Sequence, residues 1–177
     1  MSVIKNIKII FFTFFLLFLS SQSKSEIKVA FIQMDVLMSE SSAGKSLFKQ
    51  LNIIDKKNQK NFKQIKDKLN IEKDDISKKK NILSSDEYEK KVNDLNKKFK
   101  SFQSDAKNKI ENLKSKRNTG INKILKELNP LLSEYSDKNQ LAFIIDQKNI
   151  IIGKTELNIT NEILKLLNQK LPKINLD

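Results

Sequence analysis

The residues best equipped for chemistry in this 177-residue chain are lysines. There are 34 Lys plus Arg against 21 Asp plus Glu, giving a formal charge of +13, and Arg117 is the single arginine. The chain has no His, Cys or Trp, so an imidazole base, a thiolate nucleophile and nitrogen or sulfur metal ligands are all missing. That removes the usual hydrolase triads and zinc sites, and the sequence is read as non-enzymatic with no cofactor. Lysine is a compact point charge, not a bidentate fork, so the expected chemistry is diffuse attraction of acidic partners. The field is strongest between Lys56 and Lys116, where 19 Lys face 10 acidic residues. Within it, Lys73, the run Lys78, Lys79 and Lys80, and the pairs Lys90 with Lys91 and Lys97 with Lys98 are the candidate binding cations. The competing explanation is a solvated face in a chain biased towards Lys, Asn and Ile. Phe99 and Phe102 do not interleave with these charges as a base-stacking platform would, and nucleic acid is not the expected partner.

Other motifs carry less. Ala43-Gly44-Lys45-Ser46 has the end of a phosphate-binding loop, but Ser39 stands where that loop needs its first glycine, so the backbone nest for phosphate is absent. The stretch reads instead as a helix entrance capped by Ser39, Ser41 or Ser42. Asp74 with Asp75 and Asp86 with Glu87 lie in a lysine field and read as solvated surface, not as a metal site. Asn158-Ile159-Thr160 matches a glycosylation acceptor too short to be informative.

The elements that must position the lysines are helices. With 3 Gly and 2 Pro, the chain lacks the turn chemistry of a many-stranded fold. Tyr88, Val92, Leu95, Phe99, Phe102 and Ala106 alternate steps of four and three, a heptad seam. It continues through Ile110, Leu113, Ile121, Leu125, Leu128, Leu132 and Tyr135 after a stutter near Arg117 and Gly120. An earlier helix runs through Leu47, Leu51, Ile54, Phe62, Ile65, Leu69, Ile76 and Leu83, weakly specified around Asn58. Ser84 and Glu87 have capping-box spacing, which places the turn between the helices near residues 80–86. Two helices of about 40 and 50 residues would form an antiparallel arm about 60–75 Å long. The stretches at 28–32, 141–145 and 150–153 read as three strands, the last two as a hairpin, and Thr160 reads as the N-cap of a final helix.

Residues 1–25 have the three parts of a secretory signal: Lys5 and Lys8, an apolar run from Ile9 to Leu19, and small polar residues around Ser23 and Ser25, where cleavage is expected. The run is well short of the ~20 residues a membrane span needs. The chain therefore divides into a signal peptide (1–25), a discontinuous β-rich body (26–46 and 137–177) and a helical hairpin arm (47–136). The fold class is α+β, predominantly helical. A body of that size buries a marginal core. Val29, Phe31, Ile32, Phe143, Ile145, Ile150 and Ile152 make its strands apolar on both faces, which predicts self-association.

Two ends of the chain carry a family resemblance. Lys28-Val29-Ala30-Phe31-Ile32 with Ser39 to Lys45, and Leu141 to Asp146 with Asn158 to Ile163 and Leu167-Asn168, resemble the Skp (OmpH-like) family of periplasmic chaperones. The resemblance implies a homotrimer of bodies with three helical arms around a cavity. It further implies ATP-independent holding of unfolded outer-membrane β-barrel proteins in the periplasm, with anionic lipid or lipopolysaccharide as further partners. The alternative is an exported coiled-coil tether that binds anionic envelope surfaces.

Overall fold

The computed structural model describes residues 27–176, so the expected signal peptide and its cleavage position lie outside the described residues. The chain runs through strand β1 (Lys28–Ile32), a short helix α1 (Met34–Glu40), two long helices α2 (Ser42–Lys78) and α3 (Ser85–Asn139), strand β2 (Leu141–Asp146) and a last helix α4 (Thr160–Lys170). α2 and α3 have 37 and 55 residues, so they extend about 55 and 80 Å at 1.5 Å per residue. They pack antiparallel. Leu47 meets Gly120 at the root, Phe62 meets Phe102 midway, and Glu72 meets Lys98 further out.

Serine caps start both long helices. Ser41, fully buried, accepts from the Gly44 amide at 3.1 Å. Ser84 and Glu87 form the capping box, each accepting from the other's backbone amide. The left-handed Gln140 (φ 55°) ends α3, and the chain enters β2 at once. Around Asn58 the sequence is sparse in apolar residues, yet α2 is continuous. Phe62 packs edge-on against Phe102 at 6.2 Å, and Arg117 lies over the Phe48 ring at 5.9 Å. Packing on either side of Asn58 carries helix through it.

The core is in two parts. The main cluster, at the root, joins Ile32, Leu37, Leu47, Leu51, Ile124, Leu128, Leu131, Ile163, Leu167 and Ile174. The second, towards the hairpin, joins Leu69, Ile76 and Leu95, with Ile65, Tyr88, Val92, Phe99 and Phe102 against them. The outer seam is thus the one expected. At the root it is rotated. Ile124 and Leu131 are buried, whereas Ile121, Leu125, Leu132 and Tyr135 are half-buried. There α3 contacts α2, β2 and α4 together, so a wider stripe than one heptad seam is covered. Ile110 is 60% exposed and is not part of the core.

The strands correct the sequence reading. β1 and β2 pair parallel, with Val29 opposite Phe143 and Phe31 opposite Ile145, and the whole helical arm forms the crossover. The expected hairpin does not form. Asp146 accepts from the Lys148 amide and caps a 3-10 turn at Gln147–Asn149, which turns the chain away from β2. The Lys148 ammonium, 3.0 Å away, holds the Asp146 carboxyl below the usual carboxylate range. Residues 150–153 do not pair as a strand, and Gly153 lies beside the Phe31 ring. The far edge of β1 is closed by a bridge from Phe31 to Asn158.

Thr160 is not the cap of α4. That position belongs to Ile159, without a side-chain bond. The Thr160 hydroxyl instead accepts from the Gln33 amide at 2.9 Å and donates to the Asn158 side-chain oxygen Oδ1. Asn158-Ile159-Thr160 is therefore a tie between the end of β1 and the start of α4, buried at Thr160. Asn168 makes a second tie, accepting from the Ser42 amide at 2.7 Å and satisfying one donor that the start of α2 leaves free.

Candidate functional site

Two surfaces remain after the core is accounted for. The first is the arm. Lys73, Lys78, Lys79, Lys80, Lys90, Lys91, Lys97 and Lys98 are all exposed around its outer end, since they fall outside the seam of Leu69, Ile76 and Leu95. They are not equivalent. Lys79 pairs with Asp75 at 2.7 Å, Lys97 with Asp94 at 3.4 Å, and Lys98 reaches across to Glu72 at 2.6 Å, tying α3 to α2. The Asp75 carboxyl is lowered from its usual value, first by the hydrogen bond from Lys79. Lys73, Lys78, Lys80, Lys90 and Lys91 make no ion pair within 4.0 Å among the described residues and carry the uncompensated charge.

Exposed apolar side chains lie along the same arm, Ile71 and Ile82 among these cations and Ile53 and Ile110 nearer the root. Ile53, Ile71, Ile82 and Ile110 are 59%, 69%, 81% and 60% exposed. Sequence reading missed the first three and assigned Ile110 to the seam. A check of register would have found Ile53 and Ile71, because neither keeps step with Leu51, Ile65, Leu69 and Ile76. Single exposed isoleucines need no explanation alone. Four of them on a lysine-rich helical pair make a surface suited to many weak contacts.

The second surface is on the body. Of the residues expected to drive association, Phe31 and Ile32 are buried within this chain, while Val29 and Ile150 are half-buried. Phe143, Ile145 and Ile152 are 59%, 38% and 91% exposed, and Ile151, which sequence reading passed over, is wholly exposed. β2 has a paired strand on one side only. An apolar face beside an open strand edge is a template on which another chain can pair.

Among the described residues no group of three or more Asp and Glu could hold a metal ion, and no helix is long and apolar enough to cross a membrane. Gly44 serves packing: a Cβ there would meet the Met38 carbonyl oxygen.

A small mixed body carrying a long basic two-helix arm defines the class of protein by its fold. Comparison with known proteins specifies it further. The family model for outer membrane protein (OmpH-like) matches residues 28–167. The chain belongs to the OmpH-like (Skp) family. A Skp-like protein from Chlamydia pneumoniae is 24% identical over 173 residues, covering 95% of this chain and 99% of the relative. The crystal structure of an OmpH-like protein from Caulobacter crescentus CB15 superposes with a TM-score of 0.77 at 14% identity, covering 89% of this chain and 94% of that one, a likeness of fold.

Proposed function

We propose that this chain is an ATP-independent periplasmic holdase, which binds unfolded outer-membrane β-barrel proteins between basic helical arms and keeps them from aggregating. The observation that carries the reading is the combination on one arm of five unpaired lysines with four exposed isoleucines. Positive charge speeds encounter with an acidic unfolded chain, while scattered apolar contacts hold it without imposing a fold. The solved OmpH-like relative is described as a candidate outer membrane chaperone, which agrees. In this reading three copies associate through β2 and residues 150–152, the arms enclose the client, and residues 1–25 direct export. Family membership favours a binding role over catalysis. Anionic lipid or lipopolysaccharide is a further ligand of the same lysines.

The test is light-scattering mass after size exclusion, with the chain alone and after dilution with a urea-unfolded outer-membrane barrel. Three chains carrying one soluble client support the reading. A monomer or dimer that binds anionic vesicles and leaves the client to precipitate supports the tether instead. A variant with Lys73, Lys78, Lys80, Lys90 and Lys91 all changed to Gln should capture clients about tenfold more slowly at low salt; unchanged capture overturns the electrostatic part.

A further inference from the structure

After α4 the chain turns at Leu171 and Pro172 and lays residues 172–176 back across the root of the arm. Ile174 is 3% exposed and enters the main core, and Leu171 and Leu176 pack against it. The segment belongs to no helix or strand, yet four hydrogen bonds hold three of its backbone groups. Gln50 of α2 donates through Nε2 to the Ile174 carbonyl at 2.6 Å and accepts through Oε1 from the Leu176 amide at 3.1 Å. Ser46 donates its hydroxyl to the same Ile174 carbonyl at 3.1 Å, and Lys123 of α3 donates to the Asn175 carbonyl at 3.0 Å. The Gln50 amide thus bonds to the carbonyl of one residue and the amide two residues on, the pair that a neighbouring parallel strand would engage. All four bonds read backbone, which every sequence has. Selectivity is left to the two apolar side chains at i and i+2.

We propose that Ser46, Gln50 and Lys123, at the root where α2 and α3 meet, form a sequence-tolerant site for a short extended polypeptide with apolar residues two apart, and that residues 172–176 occupy it in cis. A segment anchored by two apolar side chains and a few side-chain bonds belongs to the readily opened end of a protein's stability range. A strand-forming segment of an unfolded barrel alternates apolar and polar residues, so it offers the same i and i+2 pattern. The inference rests on the holdase reading for the natural occupant; the site itself does not. In that reading the segment is an internal competitor that keeps the root closed until client chain displaces it.

The experiment weakens the cis occupant in the full-length chain with the pair Ile174→Ser and Leu176→Ser, then measures fluorescence anisotropy of a dye-labelled peptide of residues 171–177. The double variant should bind the peptide saturably and at least tenfold more tightly than the unaltered chain. Adding Gln50→Ala to the double variant should lower that affinity about tenfold, and a peptide with both apolar residues replaced by Ser should not bind. Equal binding by altered and unaltered chains, or binding indifferent to Gln50, overturns the proposal. Circular dichroism accompanies each variant; if the double variant loses its helix, the segment is a fixed part of the core and the proposal falls. Client holding, measured separately on the unaltered chain, can fail while peptide binding succeeds, or the reverse.

Discussion

Single residues decide how closely the elements approach, and the glycines show it. A Cβ on Gly44 would lie 1.9 Å from the Met38 carbonyl oxygen, and one on Gly120 would lie 2.3 Å from Leu47 Cδ1. The first obstacle is backbone of α1, which cannot rotate aside. The second is the end of a side chain, though a fully buried one. Gly44→Ala is expected to cost about 3 kcal/mol, the upper end of overpacking. Gly120→Ala should cost about 1 kcal/mol net, because alanine's helix propensity returns roughly 1 kcal/mol of the strain. Urea unfolding of both variants checks the order; a Gly120→Ala chain less stable than Gly44→Ala contradicts this account. The capping box makes a pH prediction. The Ser84 hydroxyl, and then its amide, hold the Glu87 carboxyl below its usual 4.5. A depressed carboxylate stabilises the fold above the unfolded value and stops doing so as pH falls through the folded one. The cap at the start of α3 should therefore persist at pH 4.5 and open below it. An NMR titration of Glu87 should give a midpoint under 4.5 that rises towards it in Ser84→Ala; a midpoint at or above 4.5 in the unaltered chain contradicts the bond.

The arm, as an element, consists of a root shared with the body and an outer part that stands alone. Of the described residues in the outer core only Leu69, Ile76 and Leu95 are buried, so its stability is local. Leu95→Ala should cost about 2–3 kcal/mol, the low end for such truncations because the site is close to solvent. Amide exchange should accelerate across residues 65–102 and leave the root unchanged; uniform acceleration would mean that arm and body unfold together. The two parts also differ in how well they could be read. Tyr88, Val92, Leu95, Phe99 and Phe102 face one partner helix, and a two-helix seam has the heptad period the sequence displays. At the root Ile124 and Leu131 escaped that reading because α4 and β2 cover a second stripe of the same helix. Helix α1 escaped as well, its seven residues being too short for a periodicity.

At the scale of the whole molecule, this single chain leaves Phe143, Ile145, Ile151 and Ile152 exposed to water, the kind of apolar patch that marks an interaction surface. In the trimer proposed here those residues are covered. Ile145→Lys with Ile152→Asp is expected to reduce the light-scattering mass from three chains to one while circular dichroism keeps its helical signal. Retention of the three-chain mass would move the interface elsewhere. Holding a barrel client should fail in the same variant, since a single arm encloses nothing.

The sequence by itself determined what depends on neighbours along the chain: helix period, the Ser84–Glu87 cap, the turn near residues 80–86, the lysine excess and the motifs at both ends. Tertiary structure alone decided what depends on segments far apart. It paired residues 28–32 with 141–146 in parallel across the whole arm, set Thr160 and Asn168 to hold distant backbone amides, paired Lys98 with Glu72 across the two long helices, and laid residues 172–176 over Gln50. None of these leaves a periodic trace, because a long-range contact fixes two residues without constraining those between them.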